Sequence, residues 1–176
     1  LSIGAANLVI SNDVDNRGTL NLEDGILASN IATTTSNGTT NVVGVVANDN
    51  AKSITQKSIN ISGELTSNAG LLTAISGISN AGTLNLTGGT LSSAIGNYND
   101  TVGTTYIKGN VTADADISGN TVNLTSGTLI LNNGTFDDIT SCVAAGGNLD
   151  TRNTSATTTY LQVASLNNTM GWAMDT

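Results

Sequence analysis

The stretch GTLNLTGGTL (residues 82–91) recurs twice more in the chain with small changes, as GTLNLEDGIL (18–27) and NTVNLTSGTL (120–129). Within it Leu84 and Leu86 alternate with Thr83, Asn85 and Thr87. A period of two puts the aliphatic side chains on one face of a strand and the polar ones on the other. After the turn at TGG, Leu91 re-enters the apolar face. Gly25, Gly89 and Gly127 hold the same place in the three copies, and a turn there calls for a positive φ that a Cβ disfavours. Each copy therefore reads as strand, corner, strand.

A weaker copy, SINISGEL (58–65), sets Ile59 and Ile61 in the leucine places. VVGVV near Val43 and TYIKG near Ile107 serve as degenerate copies, so starts fall near residues 20, 43, 59, 84, 107 and 122. The mean interval of about 20 residues predicts an all-β chain, a β-solenoid or stacked β-arch of about 20-residue rungs. A β-sandwich completed by a neighbour's strand fits the same alternation, with LSIGAANLVI (1–10) as the donated strand. The expected organisation is one β-rich repeat domain over 1–176. It has an N-terminal strand or arm at 1–17 and an irregular C-terminal rung or cap at 148–176, which carries Trp172. Threonine-rich, β-branched segments leave little helical signal, and the one helix alternative, GILASNIATTT (25–35), is made of poor helix formers.

The composition narrows the function classes. Charged residues are 10% of the 176, against about 25% in ordinary globular chains, and there is no histidine or proline. Net charge is −8, and the cations Arg17, Lys52, Lys57, Lys108 and Arg152 are scattered. Neutralising phosphates needs a basic cluster, so nucleic acid is not an expected partner. The longest apolar run, VVGVVA (42–47), is too short for a membrane-spanning helix. The chain starts at Leu1, which reads either as an exported protein whose leader has been removed or as an excised fragment.

Few residues are equipped for catalysis. Without histidine the commonest general base and zinc ligand are missing. Asp114 with Asp116, and Asp137 with Asp138, read as solvated strand edges rather than carboxylates facing across a cleft. The expectation is a non-enzymatic protein without a cofactor. Asp13, Asp15 and Asp24 in DVDNRGTLNLED imitate a calcium loop, with Gly18 at its sixth place. Arg17 stands where a ligand belongs, however, and no helices flank the segment. Cys142, the single cysteine, is read either as a small buried apolar residue or as the donor of an intermolecular disulfide. Asn21, Asn60, Asn85 and Asn123 each lie between two aliphatics of equivalent strands, so rungs stacked in register would align them as a structural ladder of amides.

GTLNLTGGTL, NTVNLTSGTLILNNGTF and ISNAGTLNL resemble the passenger regions of secreted bacterial β-solenoid adhesins of the autotransporter and filamentous-haemagglutinin types. The resemblance spans roughly residues 18–136 and is one of composition and period. It implies a parallel β-helical, exported, non-catalytic surface protein. Proline is absent, lysine is rare and no charged cap is visible, so a stack of such rungs is a template for further strands. The design is similar to that of archaeal sheath and surface-fibre subunits. Two functions are therefore expected. One is an extracellular subunit whose partners are copies of itself in a sheath, surface layer or filament. The other is an adhesin passenger segment that meets a host or matrix surface.

Overall fold

A computed structural model describes residues 2–3, 13–32, 37–48, 52–68, 70–132, 136–139, 141–150, 161–163 and 166–168. It is a β-solenoid of about 6 turns with roughly 19-residue spacing, and no helix occurs among the described residues. Each turn contributes up to three short strands, and these stack into three columns. The first column holds 19–22, 39–42, Ser58–Ile61, Ile78–Asn80, Ile95–Asn97 and Ile117–Ser118, continuing to Phe136–Ile139 and Leu161–Val163. The second holds 24–27, 45–48, Glu64–Ser67, Thr83–Leu86, Thr104–Ile107 and Thr121–Leu124, continuing to Ser141–Ala144 and Leu166–Asn168. The third runs from Val14–Asp15 to Asn148–Asp150 through such strands as Leu71–Ala74, Gly89–Leu91 and Thr128–Leu131. In the two earliest rungs the first two columns are one bent strand each, Thr19–Leu27 and Thr39–Asn48, with a register shift at the bend.

Every pairing between the described strands is parallel. The sandwich alternative is thereby corrected: alternation packs each strand inward on its own coil rather than on a facing sheet. Of the strand expected to be donated, Ser2–Ile3 pairs with Asn21 and Leu22 of its own chain, and residues 4–10 lie outside the described residues. The helix alternative is also corrected, since 25–27 and 31–32 are strand. The C-terminal segment continues all three columns at 148–150, 161–163 and 166–168, while Trp172 lies outside the described residues.

Core residues stack rung on rung. Ile59, Ile78, Ile95 and Ile117 form one inward rank, and Leu65, Leu84, Thr105, Val122 and Cys142 another. Ile54, Leu72, Leu91, Ala113 and Leu131 form the third. All are at most 1% exposed, and burying each Leu or Ile is worth about 1.5–3 kcal/mol.

The repeated phrase does not occupy one place. In 18–27 its two strands belong to the first and second columns, whereas in 82–91 and 120–129 they belong to the second and third. The phrase is a unit for turning a corner, and it is used at two different corners. Gly25, Gly89 and Gly127 all have positive φ, at 118°, 91° and 72°. A different constraint acts on Gly44, Gly63 and Gly82 at the corner between the first two columns. A Cβ on Gly63 would lie 2.2 Å from the Gly44 carbonyl oxygen, and one on Gly82 would lie 2.0 Å from that of Gly63.

Candidate functional site

The outer surface of the first column carries an amide ladder. Asn41 Nδ2 donates to Asn21 Oδ1 at 2.8 Å, and Asn60 Nδ2 donates to Asn41 Oδ1 at 2.9 Å. Thr19, Thr39 and Ser58 form a parallel rank two residues earlier. Asn41 was absent from the sequence expectation, and Ser79 succeeds Asn60 in the register. Asn85 and Asn123 lie instead on the second column, with Tyr106 between them. The four expected ladder residues are thus divided between two faces.

Asn85 alternates with the core-facing Leu84 and Leu86, yet is only 2% exposed. Its Nδ2 donates to Glu64 Oε1 at 2.7 Å and to Thr66 Oγ1 at 3.1 Å. Its Oδ1 is buried and has no hydrogen-bond partner, a deficit that costs about 1–3 kcal/mol. Lys108 Nζ stands 5.2 Å from the Tyr106 ring centroid, within reach of a cation–π attraction.

Polar groups also enter the interior at the corners. Asn80 Nδ2 donates to Asn120 Oδ1 at 2.8 Å, and Asn80 Oδ1 accepts from the Gly82 amide at 3.1 Å. At another corner Asn16 Nδ2 donates to Gln56 Oε1 at 2.6 Å. These amides satisfy backbone and side-chain groups that the turns would otherwise strand in the core.

The calcium loop does not assemble. Asp13 Oδ1 accepts from Asn30 Nδ2 at 2.9 Å, and Asp15 is paired with Arg17 at 2.7 Å. Asp24 lies beyond the first column, where its Oδ1 accepts the Val45 amide at 2.9 Å. The segment is strand and corner rather than a loop, so it carries Asp24 away to another face. Among the described residues no three His, Cys, Asp or Glu side chains converge on a metal-sized site. Asp114, at the end of a third-column strand, accepts from Asn132 Nδ2 at 2.7 Å.

Cys142 stands in the inward rank beside Val122 and is 0% exposed. Burial pushes its thiol up to about 11 from 9.0, because the thiolate would lose its hydration. A bond from this sulfur to another subunit would require its rung to open.

No protein-family model, curated protein or solved structure matches the chain.

Proposed function

We propose that this chain is a non-enzymatic extracellular structural module that assembles by β-strand stacking into a filament, sheath or surface layer. The observation that carries this reading is the parallel, rung-to-rung register of the three columns, continued to the last described strands. Leu161–Val163 and Leu166–Asn168 pair on one side only among the described residues. A strand in that position has backbone donors and acceptors that a further parallel strand can pair. The parallel register of the columns would continue across that joint. A low-charge outer surface of hydroxyls and amides opposes such stacking little.

Electron microscopy of negatively stained protein, combined with sedimentation over a wide concentration range, tests the proposal. Rods or sheets longer than one chain are expected. A monodisperse monomer at every concentration would sink it.

A second reading, the passenger segment of a secreted adhesin, is favoured by one interruption of the coil. Between Asn97 and Thr104 the chain leaves the stack in a short turn closed by an antiparallel bridge from Tyr98 to Thr101. Its tip residues Asn99 and Asp100 have φ of 50° and 58°. In this reading the next rung comes from the same polypeptide, and projections of this kind meet the attachment surface. Adherence of protein-coated beads to cells or matrix, lost when 98–101 are replaced by a Gly-Ser turn, is its expected signature.

A further inference from the structure

The side chain least explained by cohesion between rungs is Asn85. Its two acceptors, Glu64 Oε1 and Thr66 Oγ1, both sit on the preceding rung and fix which amide atom is nitrogen. Nδ2 is engaged by that rung, which leaves Oδ1 as the remaining amide atom, and on the next rung Tyr106 is the register partner of Asn85. That oxygen is a buried acceptor without a donor. Tyr106 is half-buried, and the Lys108 ammonium lies 5.2 Å from its ring centroid. The same rung carries the projecting turn at Tyr98–Thr101, and Val102 at its base is 45% exposed.

We propose that Tyr106, Asn85 and Lys108 form a binding site for a neutral carbohydrate. A pyranose lays its C–H face on the Tyr106 ring, one sugar hydroxyl donates to Asn85 Oδ1, and Lys108 Nζ donates to a second sugar oxygen. Tyr106 turns aside from Asn85 as the sugar enters, so the ring is first the cover and then the platform. The chemistry selects the ligand class. An aromatic face takes an apolar ring face, and a lone amide oxygen needs a hydroxyl or amide donor, which a carboxylate or phosphate cannot supply. Glu64 beside the site and the net charge of −8 disfavour polyanions. The site lies on the flank of the coil, so it is independent of end-to-end stacking.

The test is calorimetric titration of the 176-residue chain with cellohexaose, maltohexaose, mannohexaose, chitohexaose and an oligogalacturonate. At least one neutral oligosaccharide is expected to bind. Tyr106→Leu should weaken that binding by about tenfold or more, and Tyr106→Phe should leave it within about threefold, because the ring face and not the hydroxyl is used. Asn85→Leu should weaken it comparably. Circular dichroism melting of each variant separates loss of binding from loss of fold, and the Asn85→Leu protein, in which unchanged affinity would also overturn the proposal, keeps the test decisive if Tyr106→Leu unfolds. Absence of binding to every neutral oligomer would overturn the proposal, as would tightest binding to the galacturonate. Wild-type affinity in folded Tyr106→Leu would do the same.

Discussion

A side chain on Gly82 would collide with the carbonyl oxygen of Gly63, because only 2.0 Å separates that oxygen from the position of a Cβ. The same oxygen accepts the Thr83 amide at 2.8 Å. The two glycine corners therefore approach each other closely where this inter-rung hydrogen bond forms. The relationship repeats between Gly44 and Gly63, where the gap would be 2.2 Å. Gly18 heads the same sequence phrase as Gly82, but a Cβ there would meet nothing within 4 Å.

This contrast separates position from sequence. Gly82→Ala should destabilise the chain by about 3 kcal/mol or more, since the obstruction is backbone and only a shift of the rung relieves it. Gly18→Ala should change stability by less than about 1 kcal/mol. Urea denaturation of the two variants measures both, and equal effects would disprove the stacking assignment.

The ladder makes a second contrast. Asn41 takes part in two side-chain bonds, to Asn21 and Asn60. Asn41→Ala should cost about 1–3 kcal/mol, at roughly 0.5–1.5 kcal/mol per bond. Asn123, between Tyr106 and Val143, has no amide neighbour in its rank. Asn123→Ala should therefore cost about 0.5 kcal/mol or less. Reversal of that order in chemical denaturation would show that the ladder contributes nothing.

Cys142 predicts a pH dependence. Its folded-state value, about 11, lies above the ordinary 9.0. The unfolded chain therefore releases the thiol proton first, and the stability contributed by the buried neutral thiol is fully present below pH 9 and lost as pH rises toward 11. The whole loss is of the order of 2–3 kcal/mol. Cys142→Ala should be less stable at neutral pH yet lack this alkaline component. Parallel alkaline slopes for the two proteins would refute it. A thiol reagent should modify the native protein only at the rate of rung opening.

Calcium should have no specific effect. Asp13 and Asp15 are engaged with Asn30 and Arg17, and Asp24 is on another face. Melting in millimolar calcium and in millimolar magnesium should coincide. A rise with calcium alone, abolished by Asp15→Asn, would contradict that geometry.

Much of the fold is written locally. Alternation in TLNL and SINI identifies strands with an aliphatic inner side, and the recurrence of the phrase gives a rung close to the observed roughly 19 residues. What local sequence does not carry is the column to which each copy belongs. Copies at Gly18 and Gly82 are 64 positions apart, which is no whole number of rungs, and the remainder is one side of the coil. That remainder is why Asn21 and Asn85 look equivalent and face different ways. Asn41 escapes notice because Thr40 stands in the core rank between Leu20 and Ile59, breaking the aliphatic alternation that marks its neighbours. The usable signal was the polar rank itself: Thr39 and Asn41 repeat Thr19 and Asn21 at the same separation. Asn85's lone oxygen has no sequence signature at all, because it depends on what stands one rung above and below.

Parallel pairing also gives the coil a direction. In the ladder Asn41 donates toward the lower-numbered rung, to Asn21, and accepts from the higher one, from Asn60. Turned end for end, a second coil would present its strands antiparallel to those of the first. Two copies cannot join at their tips by a two-fold axis and preserve this pairing, so an array continued through these edges is an arrow, with unlike ends and a single sense of growth.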